Sequence, residues 1–481
     1  MKYKMYINGE WTDAVSGEYY DDMNPYTGEV YAQVANGGSA DVKKAVDAAY
    51  AAFPAWRDYP ATERRKILFK AAEILDEKGN ELFRALQLET GATMVVAGIQ
   101  KGVVPETFRE AAAEVFDVHG EIFPSDDPGV VNMMWRQPLG VVASISPWNA
   151  AGILGAQALA NPLAAGNTVV FKTSEASSVA GGLMLVQALD EAGIPKGVVN
   201  IVTSGPGRSA EIGDALTSDS RVRCLKFVGS SATGKRLGVQ CANTYKKFIS
   251  ELGGNDPLII LNDADIDYAV EAASFGRYIH QGQVCMNAKR MIVEEGVAEE
   301  FLEKMTNKAK SLKFGSPMEP GVVIGPLINQ GQMDKLLTQI DRAKEQGAKI
   351  LCGGKNHGLV YEPTVLLMTE EMDIFQEEVF GPVANVIIAK DAEDALRIAN
   401  NSEYGLSSGI ITKDITKAWQ MAERIESGGC HINDSGMNLY CHAPLGGMKA
   451  SGSGRSGFRS TEEFTEVRWV SMRKNKRKYP F

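Results

Sequence analysis

The sequence predicts an α/β protein with two parallel β-sheets that carry helices on their faces. From Gly140 onward, short apolar runs alternate with segments of helical periodicity, and each run ends in glycine, proline or a polar turn. A second alternation of the same kind extends from Ala264 to about Ile411. Because strands and helices that alternate at this spacing form parallel sheets covered on both faces, each series predicts one α/β domain.

The elements follow in chain order. Residues Asp41 to Trp56 and Glu63 to Leu88 place apolar side chains at helical spacing, so the first third is predicted to be largely helical. The first series of predicted strands is Val141–Ile145, Thr168–Phe171, Val198–Val202, Cys224–Val228 and Leu258–Leu261. The second series includes Arg290–Val293, Thr364–Leu367 and Val383–Ile388. The first sheet is predicted to bind a dinucleotide, since ligands of such sheets lie at the carboxyl ends of the strands.

Two segments allow a second interpretation. No charged residue occurs between Arg136 and Lys172, but prolines and amide side chains interrupt this stretch, so buried strand, turn and helix are predicted rather than a membrane span. Residues Glu466 to Met472 alternate like a strand and run into a basic segment, Arg473 to Lys478. This segment is either a nucleic-acid arm or, as we favour, a charged end of an edge strand.

The composition limits the function. A chain of 481 residues with 44% hydrophobic and 23% charged residues is typical of a soluble protein of two or three domains. The net charge of −10 argues against binding nucleic acid or an anionic membrane, which favours a small-molecule partner. The first ten residues lack the apolar core of a signal peptide, and the six cysteines lack disulfide density and metal-binding spacing. We therefore expect a cytoplasmic protein with free thiols and no metal site.

Two segments that follow predicted strands are suited to bind a nucleotide. Gly229 to Lys235 resembles a phosphate loop, but Arg236 stands where a hydroxyl should hold magnesium, which leaves a helix N-terminus for a pyrophosphate or a plain turn. Lys172 and Glu175 can bond ribose hydroxyls, or Thr173 or Ser174 can cap a helix.

Three side chains together indicate covalent acyl chemistry. Cys285 lies in a glycine-containing turn, Glu251 precedes a glycine pair, and Asn149 follows the Val141–Ile145 strand. A thiol, a carboxylate and an amide provide a nucleophile, a base for water and an oxyanion donor. A cysteine alone is more often a core residue, so their co-occurrence with a nucleotide site carries the hypothesis.

The motifs resemble the aldehyde dehydrogenase superfamily over nearly the whole chain and in the family's order. They are Pro147-Trp148-Asn149, Lys172 to Glu175, Phe227 to Ser230, Glu251 to Gly254, Gly282 to Cys285, Glu378 to Pro382 and Pro444 to Gly452. The resemblance implies a Rossmann-type NAD-binding domain (1–118 and 138–251) and an α/β catalytic domain (252–450). It further implies a small β oligomerisation element (119–137 and 462–481), formed by a hairpin near residues 119–137 with the C-terminal strand. It also implies a homodimer or homotetramer.

The resemblance assigns roles to these residues. Cys285 would attack an aldehyde, Asn149 and the Cys285 amide would hold the oxyanion, and Glu251 would activate the water that hydrolyses the thioester. The presence of Glu251 argues against the coenzyme A-acylating branch. The expected cofactor contacts are Ser146, Trp148, Lys172, Ser174, Glu175, Gly229, Ser230, Leu252, Gly253, Glu378 and Phe380. Glu175 would repel a 2′-phosphate and so favour NAD, although Lys172 could pair with one, which leaves NADP as the alternative.

The predicted substrate is an aromatic aldehyde. The family often has aromatic residues where this chain has Ala150 and Leu445, so a wide pocket is expected. The sequence around Cys285 and the C-terminal residues resemble the benzaldehyde and vanillin dehydrogenase branch. Residues expected to line the pocket are Ala150, Leu154, Gln157, Met286, Tyr440 and Leu445, and Met437 and Cys441 are further candidates.

Two alternatives remain at this stage. An aliphatic aldehyde or a semialdehyde can replace the aromatic substrate, and a carboxylated substrate would need a cation in the pocket, for which Arg290 or Lys289 is the candidate. A non-catalytic scaffold on the same fold is the second alternative, against which the presence of Cys285, Glu251 and Asn149 argues.

Overall fold

The structure, a computed structural model, describes all residues from Met1 to Phe481. Its helices are α1 (Ser39–Arg57), α2 (Ala61–Glu77), α3 (Gly79–Thr90), α4 (Met94–Ala113), α5 (Ala151–Ala164), α6 (Met184–Glu191), α7 (Ser209–Ser218), α8 (Ser231–Asn243), α9 (Ile266–Tyr278), α10 (Glu295–Ser311), α11 (Gln330–Glu345), α12 (Ala392–Asn400) and α13 (Ile415–Ala422).

The strands before residue 260 are β1 (Lys2–Tyr3), β2 (Met5–Ile7), β3 (Glu10–Thr12), β4 (Tyr19–Met23), β5 (Val30–Ala35), β6 (Glu121–Phe123), β7 (Val130–Pro138), β8 (Val141–Ile145), β9 (Thr168–Lys172), β10 (Val199–Ile201), β11 (Val222–Val228), β12 (Lys247–Glu251) and β13 (Asp256–Ile260). The later strands are β14 (Ala288–Glu294), β15 (Lys313–Phe314), β16 (Val322–Ile324), β17 (Lys349–Cys352), β18 (Asn356–His357), β19 (Val360–Tyr361), β20 (Thr364–Leu367), β21 (Val383–Ala389), β22 (Tyr404–Gly405), β23 (Gly409–Ile411), β24 (His431–Ile432), β25 (Met448–Lys449) and β26 (Thr465–Arg473).

The first large sheet has the order β12-β11-β8-β9-β10-β2-β3. Strands β8 to β12 pair in parallel, while the N-terminal strands β2 and β3 extend one edge in antiparallel pairing. Four of the predicted strands form its centre, and β12, which the sequence did not predict, forms the other edge. The parallel α/β sheet is therefore confirmed.

The second large sheet has the order β17-β20-β21-β14-β13-β23-β24. All its pairs are parallel except β17 with β20. Strand β13, predicted as Leu258–Leu261 in the first series, belongs to this second sheet, because it pairs with β14 and β23. The chain thus passes from the first large sheet to the second between the end of β12 and the start of β13. The domain boundaries stay a prediction.

Helices α1 to α4 form most of the first third, as predicted, but two details differ. The periodic segment from Glu63 to Leu88 is two helices, because the chain breaks at Lys78 between α2 and α3. Five short strands precede α1, and β1, β5 and β4 form a separate sheet.

The stretch without charges contains strand β8, helix α5 and strand β9, in agreement with the prediction. Every residue of α5 is buried, which explains why this helix is apolar on all sides. No helix of the structure has the length and apolar character needed to cross a bilayer.

A third sheet joins the hairpin of β6 and β7 to β26, the last strand of the chain. Strand β26 pairs along its whole length with β7, which also pairs with β6 in an antiparallel hairpin. This is the hairpin and C-terminal strand that the sequence analysis expected. The basic segment from Arg473 onward continues beyond the edge strand β26 and is exposed.

Candidate active site

Two cavities meet at Cys285. One has a volume of about 890 Å³ and the other of about 660 Å³. Both are lined by Cys285 and Asn149, together with Leu154, Val228 and Leu252. Glu251 lines the larger cavity, whereas Glu378 and Phe380 line the smaller one. The structure therefore brings the three predicted catalytic side chains to one place, at the junction of two cavities.

The turn before Cys285 is held in an uncommon backbone conformation. His280 and Gln281 have φ angles of 51° and 57°, and Gly282 follows with 74°, so three consecutive residues are left-handed. Such a conformation costs free energy for residues with a Cβ and persists only where surrounding contacts enforce it. The Gln281 amide donates to the carbonyl oxygens of Gly91 and Pro326, at 3.0 Å each.

Gly282 is required by a close approach. A Cβ at this position would lie 2.1 Å from the carbonyl oxygen of Gly381, in the predicted Glu378–Pro382 motif. This contact explains why residue 282 is glycine. The same contact packs the turn before Cys285 against the loop that carries Glu378.

Donors for an oxyanion lie beside the thiol. The backbone N–H of Cys285 has no acceptor within the protein, and Asn149, which is 6% exposed, lines both cavities at the start of α5. The neighbouring Val284 N–H donates to Asn287 Oδ1 at 2.8 Å, and this bond fixes the turn. An amide side chain and a free backbone N–H are the donor set that the resemblance implied.

Glu251 is the last residue of β12 and is 7% exposed. Ser456 donates its hydroxyl proton to Glu251 Oε1 at 2.6 Å. The backbone of Glu251 also forms a bridge with Gly452, and the Leu252 N–H donates to Ser451 O at 2.9 Å. The closing motif that the sequence analysis singled out therefore packs on the strand end that carries Glu251.

Apolar side chains line most of the larger cavity. Of the predicted pocket residues, Ala150, Leu154, Gln157, Met286 and Leu445 line it, as does Met437. Residues that the sequence did not predict are Val96, Ile99, Gln100, Ile153, Val228, Ile279, His280, Val284, Leu406 and Leu439. The lining contains no Phe, Tyr, Trp, Lys or Arg. The lining is therefore apolar and without a cation, and Glu251 is its one acidic residue.

Tyr440 is a correction to the predicted pocket. Its side chain is 58% exposed and packs against the ring of His442, with ring centroids 5.6 Å apart, rather than lining the cavity. Its neighbour Leu439 points to the cavity instead. Cys441 also lies elsewhere, with its sulfur near Thr107 and the carbonyl oxygen of Val103.

The smaller cavity is more polar than the larger one and has groups that fit a dinucleotide. The predicted residues Trp148, Gly229, Ser230, Leu252, Gly253, Glu378 and Phe380 line it, with Pro147, Gln332 and Lys335 in addition. Ser230 caps α8, whose first backbone N–H groups have no intrahelical acceptor and can bind phosphate oxygens. Glu378 offers acceptors for ribose hydroxyls, and the rings of Trp148 and Phe380 are 5.7 Å apart in edge-to-face contact. Gln332 and Lys335 lie on α11, where no local motif pointed to them.

The other predicted cofactor residues form a separate group at the end of β9. Lys172 Nζ donates to Ser209 Oγ at 2.9 Å and lies 3.9 Å from Glu175 Oε2. Ser174 does not cap a helix, since its hydroxyl accepts from the Ala176 N–H inside a turn. Ser146 is 2% exposed, and its hydroxyl has no hydrogen-bond partner. Lys172, Ser174, Glu175 and Ser146 do not line either cavity.

The candidate cations for a carboxylated substrate lie outside the substrate cavity. The Arg290 guanidinium donates to the carbonyl oxygens of Asn255, Ile398 and Ala399 and is 1% exposed. The Lys289 ammonium is fully buried behind the Cys285 turn. Neither side chain is available to a substrate carboxylate, so the cation predicted for this alternative is absent from the lining.

A two-sheet α/β fold in which an apolar and a more polar cavity meet at one thiol is typical of an enzyme that binds a substrate beside a nucleotide cofactor. The chain matches the model of the Aldehyde dehydrogenase family over residues 11–470. It belongs to the aldehyde dehydrogenase family, whose members oxidise aldehydes.

Three relatives illustrate the similarity. Vanillin dehydrogenase from Pseudomonas fluorescens is 41% identical over 476 residues, which are 98% of each chain. The crystal structure of a salicylaldehyde dehydrogenase from Pseudomonas putida G7 complexed with salicylaldehyde has a TM-score of 0.98 at 39% identity over 100% of each chain. The crystal structure of PnpE in complex with nicotinamide adenine dinucleotide has a TM-score of 0.96 at 37% identity over 100% of this chain and 99% of that one. These findings confirm the predicted fold and family.

Proposed function

We propose that this protein oxidises an aromatic aldehyde to the carboxylic acid with NAD as the electron acceptor. The observation that carries the proposal is the meeting of the two cavities at Cys285. An aldehyde in the apolar cavity and a nicotinamide in the polar cavity would approach the same thiol from two sides. The named activities of the vanillin and salicylaldehyde dehydrogenases, and the NAD complex of PnpE, support this assignment.

The lining of the larger cavity favours an aromatic substrate over a carboxylated one. A flat ring can lie against the side chains of Ile153, Leu154 and Leu445 without displacing any charge. A substrate carboxylate would lose its hydration and meet no cation, which costs several kcal/mol. An uncharged aliphatic aldehyde pays no such cost and is the second candidate.

The proposed chemistry uses the three catalytic side chains in turn. The Cys285 thiolate adds to the carbonyl carbon, and the resulting oxyanion accepts hydrogen bonds from Asn149 and the Cys285 N–H. NAD bound in the polar cavity supplies the acceptor for the hydride that leaves this carbon. Glu251 then takes a proton from a water molecule, whose oxygen adds to the thioester carbon. The carbon–sulfur bond breaks, the acid leaves and Cys285 is again a thiolate.

NAD is proposed over NADP because of the charges at the end of β9. Glu175 lies beside Lys172, and Lys172 already donates to Ser209. A 2′-phosphate at this place would meet the Glu175 carboxylate and compete for an engaged lysine. NADP remains the alternative to test.

The third sheet supports the proposal of a homodimer or homotetramer. Trp469 and Ile122 on this sheet are 70% and 78% exposed, and apolar side chains of this size are more often found at subunit interfaces. The cytoplasmic location stays a prediction from the sequence.

The test is a panel of aldehydes with NAD or NADP, in which the formation of the reduced cofactor is followed by absorbance. We expect kcat/KM for benzaldehyde and its ring-substituted derivatives to exceed that for succinic semialdehyde by at least about 100-fold, in line with the cost of a buried carboxylate. Cys285→Ala should abolish turnover while NAD still quenches the fluorescence of Trp148. Turnover by this variant, or a preference for the semialdehyde, would contradict the proposal.

A further inference from the structure

A buried lysine holds the nucleophile turn from behind. Lys289, the second residue of β14, has a fully buried side chain and is not part of either cavity lining. Its ammonium group donates to the carbonyl oxygen of Val284 at 3.1 Å and to that of Cys285. Two consecutive carbonyl groups of the turn therefore point to one cation, and this fixes the direction of the peptide groups around Cys285.

The same ammonium group lies close to two residues that line the smaller cavity. It lies 3.3 Å from Glu378 Oε1, which also accepts a hydrogen bond from the Gly254 N–H at 3.1 Å. It also lies 5.9 Å from the centre of the Phe380 ring. Since Glu378 and Phe380 line the proposed nicotinamide side, Lys289 connects the thiol's backbone to the cofactor cavity.

The charge of Lys289 also affects the pKa of a second buried carboxylate, that of Asp256. Asp256 is 2% exposed, and no side chain donates a hydrogen bond to its carboxylate. Burial raises the pKa of Asp256 to about 7, and the charge of Lys289 is the largest effect that opposes this rise. Removal of one partner from such a buried cluster leaves uncompensated charge behind.

The charged groups around the Cys285 thiol determine how readily it ionises. Burial, which has the largest effect, and the carboxylates of Asp256, Glu378 and Glu251 together raise the pKa of Cys285 to about 12. Lys289 is the cation that lowers the pKa of Cys285. His280 lines the same cavity, but burial lowers the pKa of its imidazole to about 4, so it is neutral at neutral pH.

We propose that Lys289 is a positioning residue that orients the Cys285 turn through two carbonyl groups, supplies the positive charge that favours the thiolate, and couples the turn to Glu378. The proposal rests on the proposed function in so far as Cys285 is the nucleophile there. A purely structural lysine would stabilise the turn without changing how the reactivity of the Cys285 thiol depends on pH.

The test follows alkylation of Cys285 by iodoacetamide as a function of pH, without aldehyde or cofactor. The modified peptide is quantified by mass spectrometry, and Cys285→Ala provides the blank. We expect Lys289→Met to move the alkylation profile to higher pH and to lower the rate near neutral pH by about tenfold, the effect of one pKa unit. Lys289→Arg keeps the charge and should retain most of the reactivity.

The matched control is Lys246→Met. Lys246 is also a mostly buried lysine whose ammonium donates to two carbonyl oxygens, those of Asp219 and Val222, at 2.6 and 2.9 Å. It faces no catalytic group, so its loss should leave the alkylation profile of Cys285 unchanged. A folded Lys289→Met protein with the wild-type profile would overturn the proposal.

A second variant covers the case in which Lys289→Met does not fold. Glu378→Gln removes a carboxylate that opposes the thiolate and should move the profile to lower pH, opposite to the lysine variant. An unchanged profile for Glu378→Gln would also refute the proposal. Because alkylation requires no turnover, a shifted profile in a protein that oxidises no aldehyde would support the role of Lys289 and reject only the proposed function.

Discussion

At the scale of single residues, the proposed role of Glu251 as a base for water sets two requirements for its carboxylate. A base for water must be free at one oxygen and yet held in direction, because a misplaced base loses much of its effect. Ser456 binds Oε1 of Glu251, and the carboxylate still lines the substrate cavity. The hydroxyl therefore orients the carboxylate and leaves it accessible to water on the side of Cys285.

This contact leads to a prediction for Ser456→Ala. The variant should slow hydrolysis of the thioester by about 10- to 100-fold, since a hydrogen bond to a charged group contributes about 1.5–3 kcal/mol. Formation of the thioester does not use Glu251 and should keep its rate. Rapid-mixing measurements of the first and later turnovers separate the two steps.

Two further variants distinguish an effect on Glu251 from a general effect on the fold of the site. Ser456→Thr restores a hydroxyl and should recover most of the hydrolysis rate, while Glu251→Gln should slow hydrolysis more strongly than Ser456→Ala. Equal losses in the first turnover and in the steady state of Ser456→Ala would instead mean that the serine supports the fold of the whole site.

The sequence was sufficient to predict that Cys285, Glu251 and Asn149 lie at one site, because each lies in a motif at the end of a strand or in a glycine turn. It was not sufficient for Ser456, which lies 205 residues from Glu251, or for Lys289, whose role depends on a carboxylate in another motif. Nothing local distinguishes these two side chains from ordinary loop or strand residues. Contacts between distant segments assign their roles, and a single sequence does not reveal them.

At the scale of elements, the strands whose limits were predicted most accurately are those with continuous apolar runs. Strand β8 has the predicted limits and β9 extends one residue further, because both are buried on two faces and read as unbroken apolar segments. Strand β12 was missed, since Lys247 to Glu251 mixes charged and apolar residues at the edge of the sheet. The turn before Cys285 has no period at all, and its left-handed conformation depends on Gly381 and other distant contacts.

This turn gives a prediction for Gly282→Ala. The added methyl group would lie 2.1 Å from Gly381 O, and the residue would also keep a positive φ, so the turn must move. We expect a loss of roughly 2–4 kcal/mol in the free energy of unfolding and a strong loss of Cys285 reactivity. Urea titration and iodoacetamide alkylation measure the two effects.

Gly102→Ala is the matched control for this variant. Gly102 lies inside α4 with open space around its Cα, so alanine should stabilise the protein by about 0.5–1 kcal/mol. Wild-type stability and reactivity of Gly282→Ala would show that the turn can adopt another conformation at little cost.

At the scale of the whole molecule, the third sheet differs from the other two. The large sheets bury their strands in the cores of the protein, whereas β26 has mostly exposed residues, including Val467 and Trp469. The sequence predicted the hairpin and the strand but not that β26 pairs with β7 over nine residues, because register depends on tertiary contacts. An edge strand with exposed apolar side chains invites pairing with another chain unless a subunit already covers it.

The last prediction concerns assembly and uses Trp469→Asp. If this sheet forms the subunit interface, a buried charge there costs several kcal/mol, and the variant should have a lower molar mass than the wild-type oligomer in size-exclusion chromatography with light scattering. Trp419→Asp is the control. Trp419 is 63% exposed, similar to the 70% of Trp469, but it lies on α13, away from the sheet. Its molar mass should stay that of the wild type. The proposal for this sheet would be contradicted by a monomeric wild-type protein or by a Trp469→Asp variant of unchanged mass, because in either case the exposed tryptophan contributes nothing to assembly.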